Sequence, residues 1–146
     1  MPLVYRAEVH IPAPVEAVWG VLRDFDRYEE WNTFNPSART TGIVGDPIAL
    51  TVTLRGRRVT QTETVRELTE PSRLVWGFSR GPVLWAERVQ TIAPAEGGAH
   101  YVTVDTIGGL LSPIVGWLYG SSLQDGFQQM AADLQRRVSN FGGFSE

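Results

Sequence analysis

The feature that constrains this chain most is one apolar stripe near its C-terminal end. Leu123, Phe127, Met130, Leu134, Val138 and Phe141 are spaced 4, 3, 4, 4 and 3 residues apart. That spacing keeps all six on one side of an α-helix. Gln124, Asp125, Gln128, Gln129, Asp133, Arg136 and Arg137 fall on the opposite side. Upstream, Pro113 suits the first turn of the same helix, with Ser112 as its N-cap. Gly116 and Gly120 thin its wall or let it bend, and Gly142-Gly143 ends it. A long helix with one apolar face draws its stability from what it packs on.

The preceding residues supply that surface. Val4 to Ile11 reads as a strand stopped by Pro12-Ala13-Pro14. A short helix from Val15 to Arg23 follows, with Val15, Val18, Trp19 and Leu22 on one side. Asp24 and Asp26 are placed to cap a second short helix carrying Tyr28 and Trp31. From Ser37 to about Ile107 the pattern is that of strands. Ile48 to Leu54 alternates, Val59 to Leu68 is rich in threonine and valine, and Leu74 to Phe78 is short and aromatic. Val83 to Ile92, then Pro94 to Gly98, then His100 to Ile107 reads as a long hairpin. Turns fall at Arg55–Arg58, Glu70–Ser72 and Arg80–Pro82. Connections this short imply antiparallel neighbours. The expected fold is α+β: a curved antiparallel sheet of about six to seven strands wrapped on a long C-terminal helix, with two short helices after the first strand. Residues 1–146 are read as one domain.

Composition narrows the function classes. Thirteen basic and 16 acidic residues leave a net charge of −3, which argues against a nucleic-acid partner. The absence of cysteine removes disulfides, thiolate metal sites and cysteine nucleophiles. The N-terminus has no secretory pattern, and no stretch reaches the roughly 18 apolar residues of a membrane span. The default expectation is a cytoplasmic protein without stable membrane insertion. A homodimer is compatible with the chain.

Three strings carry a resemblance. The first is Ile11-Pro12-Ala13-Pro14-Val15-Glu16-Ala17-Val18-Trp19, followed by Leu22, Asp24, Phe25, Tyr28, Glu30, Trp31 and Asn32. The second is Asp105-Thr106-Ile107-Gly108-Gly109-Leu110-Leu111, and the third is Gly126-Phe127-Gln128-Gln129-Met130. Together they resemble the START-like superfamily, also abbreviated SRPBCC, and within it the polyketide cyclase/dehydrase-like branch. The sequence departs from that pattern at Thr33, where the family has Pro, at Ile107, where it has an aromatic, and at Arg88, where many relatives carry His. The resemblance implies a helix-grip fold with a cavity between sheet and helix. The superfamily includes lipid carriers, hormone receptors, aromatase/cyclases and ubiquinone-binding proteins, so the fold constrains function loosely.

No complete catalytic constellation is visible. His10 and His100 are the only histidines and have no ligand spacing, so no metal site is expected. Ser121 and Ser122 lie outside any Gly-x-Ser-x-Gly elbow, and no phosphate loop or dinucleotide fingerprint calls for a cofactor. On the first strand, Tyr5, Ala7, Val9 and Ile11 are expected inward, and Arg6, Glu8 and His10 outward. On Val83 to Ile92, Trp85, Glu87, Val89 and Thr91 are expected inward, with Arg88 and Gln90 outward. An inward Glu87 would have a raised pKa and could serve as a general acid; the blander expectation is an ion pair with a neighbouring arginine. Asp105 either orients a ligand hydroxyl or caps the turn at Gly108, with capping expected. Glu63 and Arg66 have no assignable face.

Trp76, Phe78, Trp85, Trp117, Tyr119 and Phe127 come from elements that would surround one volume. With Glu87, Gly120 and Leu123 they form the expected ligand-binding set. The Tyr119 hydroxyl either meets the ligand or reaches solvent. The first expectation is uptake of an apolar small molecule, whether lipid, polyketide or aromatic. The second is an aromatase/cyclase-like enzyme using Glu87 or Asp105 as a general acid/base. The third is a protein-interaction domain using the stretch from Leu110-Leu111 to Leu118, much of which the resemblance would bury.

Overall fold

The computed structural model describes residues 2–142, the last two by backbone alone. The chain order is β1 (Leu3–Ile11), α1 (Val15–Arg23), a 3-10 helix (Phe25–Glu30), β2 (Ser37–Thr40), β3 (Pro47–Leu54), β4 (Arg57–Thr69), β5 (Arg73–Ser79), β6 (Trp85–Ala95), β7 (Gly98–Gly108) and α2 (Ser112–Gly142). The strands form one antiparallel sheet in the order β1-β7-β6-β5-β4-β3-β2. This is the expected helix-grip arrangement. Tight turns set its register. At the β3–β4 turn, Arg55 and Gly56 both have positive φ, 51° and 77°, which is the conformation a two-residue hairpin loop needs.

The long helix α2 packs on β1, β7 and β3. Leu123, Phe127, Met130, Leu134 and Val138 are buried, as the spacing requires, and each removes apolar surface worth roughly 1.5–3 kcal/mol. The helix runs to Gly142, as the glycine pair predicts for its end, while the side chain of Phe141 and all of Gly143 lie outside the described residues. On α1, Val18, Trp19, Val21 and Leu22 are buried and the helix packs against α2.

Several local expectations need correction. Asp133 is not on a solvated face. It is buried and accepts hydrogen bonds from Thr33 N–H at 3.0 Å and Thr33 Oγ1 at 2.7 Å, fastening α2 to the segment after the 3-10 helix. Asp24 sits at the N-cap of the 3-10 helix but makes no capping bond; its carboxylate pairs with Arg27 at 3.3 Å instead. The Ser112 hydroxyl donates to Gly109 O at 2.8 Å, closing the β7–α2 turn rather than capping the helix.

Candidate functional site

The concave side of the sheet is not filled by α2. Between them lies a cavity of about 260 Å³, just below the usual range of small-molecule pockets, which begins at about 300 Å³. Its inner end is formed by Phe34, Leu50, Trp76 and Phe127, all buried. Its outer end is formed by Leu54, Val59, Leu84, Val115 and Tyr119, which are half-buried or exposed. The cavity therefore opens toward the β3–β4 turn and the first turns of α2.

Arg88 lies at the inner end. It is only 3% exposed, so the outward expectation for this residue is wrong. The parity of β6 is inverted: Ala86, Arg88, Gln90 and Ile92 face in, and Trp85, Glu87, Val89 and Thr91 sit in the half-exposed series. The cause is a set of buried polar partners. Arg88 Nε donates to Thr103 Oγ1 at 2.9 Å, Nη1 to Asn35 Oδ1 at 2.7 Å and Nη2 to Met130 Sδ at 2.9 Å. The guanidinium also lies 4.8 Å from the Phe127 ring centre and 5.5 Å from that of Trp76, in favourable cation–π range. Gln90 is held likewise, its Oε1 accepting from Tyr101 Oη at 2.5 Å.

Two carboxyl groups line the cavity with this cation. Asp105 is the cross-strand partner of Arg88 in the β6–β7 register and is 9% exposed. Burial pushes its pKa from 3.8 up to about 7, against the pull of Arg88. The capping expectation for Asp105 fails, because no described residue hydrogen-bonds its carboxyl group. Glu63, on β4, also lines the cavity. Burial first, and then the neighbouring Asp105, push it from 4.5 up to about 8, with Arg88 and Arg66 opposing. A guanidinium stays charged throughout the working range of proteins. At neutral pH the site thus combines one fixed cation with two carboxyls that hold or share protons. Such groups can donate a hydrogen bond to a ligand oxygen, or take up a proton from it.

The structure places the expected residues as follows. Trp76, Phe78, Tyr119, Leu123, Phe127 and Asp105 line the cavity. Trp85, Glu87, Trp117 and Gly120 do not. The Glu87 side chain is 42% exposed and pairs with Arg66 at 3.1 Å on the outer side of the sheet; it is removed from the acid/base candidates. Arg66 reaches it across Gly77, where any Cβ would collide with the guanidinium. Trp85 shares the outward parity of Glu87, its ring stacked where a Cβ on Gly108 would fall. Trp117 is 84% exposed. Gly120 faces β1, where an added Cβ would sit 3.2 Å from Tyr5 Oη. The expected inward series of β1 is found. Sequence reasoning missed Glu63, Arg88, Asn35 and Gln61 among the cavity residues. The signal for Glu63 was present: it shares parity on β4 with Val59, Gln61 and the buried Val65. Among the described residues, no group of three or more His, Asp or Glu side chains is placed to hold a metal.

Comparison with known proteins agrees with this geometry. Residues 3–139 match the sequence profile of the family described as polyketide cyclase / dehydrase and lipid transport. A Thermus thermophilus protein of solved structure superposes with a TM-score of 0.77 at 20% identity, covering 98% of this chain and 100% of its own. A START superfamily protein from Mycobacterium smegmatis gives 0.70 at 19% identity, with 94% and 98% covered. An AHSA1-like protein from Aeromonas hydrophila gives 0.71 at 20% identity, with 99% and 97% covered. No curated protein sequence matches the chain. At these identities the structural likeness speaks for the fold alone.

Proposed function

Because this chain belongs to the polyketide cyclase/dehydrase and lipid transport family, we propose that it binds an apolar small molecule carrying one oxygen function, held in the cavity between the sheet and α2. The observation that carries this reading is the gradient along the cavity. Aliphatic and aromatic walls run inward from the mouth to the buried Arg88 and Asp105, with the half-buried Glu63 within electrostatic reach of both. Apolar walls supply most of the affinity of such sites, and a few placed polar groups fix orientation. A ligand carbonyl or hydroxyl at the inner end would accept hydrogen bonds from the protonated carboxyls.

The pair Asp105 and Glu63 favours a second reading, in which the ligand is a substrate. Two carboxyls with pKa values near 7 and 8 suit general acid/base work near neutral pH, as in a cyclase or dehydratase. Asp105 and Glu63 take the place of Glu87 in that reading.

One experiment separates the two. Native mass spectrometry of freshly purified protein, repeated after denaturation, reads the mass of any bound compound. Binding alone predicts the same bound mass in wild type and in Asp105→Asn. Catalysis predicts that Asp105→Asn retains a different compound, the unconverted substrate. A protein that carries nothing after purification and takes up no apolar oxygenated compound added to it would contradict both.

A further inference from the structure

Exposed apolar side chains gather at one end of the molecule, around the cavity mouth. Leu110 is 77% exposed, and Leu111, Ile114, Trp117 and Leu118 are exposed with it. Val83, also exposed, joins them from the β5–β6 loop, its carbonyl accepting from Leu111 N–H at 2.9 Å. On α2, Ile114, Trp117 and Leu118 stand at i, i+3 and i+4, a second apolar stripe on a side other than that of the cavity-lining Val115 and Tyr119. The first turns of α2 are thus apolar on nearly every side, the pattern of a helix surrounded by apolar material. Single exposed apolar residues are ordinary, but a contiguous group with a tryptophan marks a contact surface. The interaction stretch anticipated as largely buried is therefore open.

Charge identifies what the surface meets. The turns at this end, residues 54–57, 79–84 and 108–112, hold Arg55, Arg57 and Arg80 and no Asp or Glu. All three arginines are placed at the patch. Arg55 N–H donates to Ser122 Oγ of α2 at 3.0 Å. Arg57 continues the cavity-lining side of β4, two residues before Val59. The Arg80 guanidinium lies 6.0 Å from the ring centre of Phe78, which lines the cavity.

We propose that this end docks on an anionic lipid–water interface, with Trp117, Ile114, Leu110 and Leu111 entering the boundary and Arg55, Arg57 and Arg80 meeting lipid phosphates. Tryptophan is suited to such a boundary, and arginine to phosphate. A second copy is a poorer occupant, since an isologous contact sets like surfaces together and would place the arginines of one protomer against those of the other. Docking depends on this surface alone and is independent of what the cavity holds.

The test is co-sedimentation of the full chain with phosphatidylcholine vesicles, with and without phosphatidylglycerol. Three arginines near the surface predict binding about a hundredfold stronger to the anionic vesicles, weakening as salt is raised. Trp117→Glu, at an exposed position, should bind far more weakly while keeping the wild-type melting temperature. Arg55→Glu combined with Arg80→Glu should erase the preference for anionic lipid. The proposal fails if wild type does not sediment with anionic vesicles, or if Trp117→Glu sediments as wild type does. It also fails if wild type ignores vesicles and forms dimers that Trp117→Glu disperses, which would assign the patch to a second copy.

Discussion

At the scale of single residues, the site is governed by one buried cation. Arg88 is enclosed by three aromatic rings and bonded to neutral partners, so its charge acts on Asp105 and Glu63 through a poorly screening interior. The folded-state pKa values of both acids are raised, which fixes the sign of the pH dependence. Between about pH 4 and pH 8 the folded protein holds protons that the unfolded chain has released. Stability from these groups is fully present below their ordinary pKa values and is lost as pH rises through the folded ones. Asp105→Asn with Glu63→Gln should flatten that slope and raise the melting temperature above neutral pH, the effect being on the order of a few kcal/mol; a thermal-unfolding series across pH measures it. Arg88→Met should raise both carboxyl pKa values further, read by carboxyl carbon NMR titration, and should cost about 1–3 kcal/mol by orphaning Asn35 Oδ1. Little of this was legible in the sequence. Trp85 and Val89 give β6 an apolar series, so a parity reading turns Arg88 and Gln90 outward. The partners that offset the cost of their burial, Thr103, Asn35 and Tyr101, come from other elements.

At the scale of elements, periodicity was a better guide. The bounds of α1 and the stripe of α2 follow from apolar spacing, because a helix presents the same side every three to four residues whatever its neighbours are. What spacing could not reveal is where two elements touch closely. Gly126 is such a place: a Cβ there would overlap the Phe34 ring, which packs edge-on to Phe127 at 5.0 Å. Alanine is favoured over glycine in a helix by about 1 kcal/mol, but overpacking costs roughly 1–3 kcal/mol. Gly126→Ala should therefore lower the melting temperature by a few degrees, at about 2–4 °C per kcal/mol, and calorimetry checks the sign. An increase would mean that Phe34 moves aside freely and does not fix the inner wall of the cavity.

At the scale of the whole molecule, the sheet is curved and is covered by one helix, which leaves a cavity that neither component fills. Composition and element order foretold that arrangement, since seven strands with one apolar side need a cover and the chain supplies one long helix. The direction in which the cavity opens was not foretold; it follows from Leu54, Val59, Leu84, Val115 and Tyr119 being left half-buried or exposed at one end of the lining. The central claim is that the inside of this cavity, and no other surface, holds the ligand. Ala86 lines the cavity, so Ala86→Phe should fill much of its volume. The decisive measurement is native mass spectrometry of wild type and Ala86→Phe, purified side by side and shown by circular dichroism to share the same fold. The account predicts a ligand mass on wild type that is missing from the variant. The same mass on both proteins would place the ligand elsewhere and contradict it.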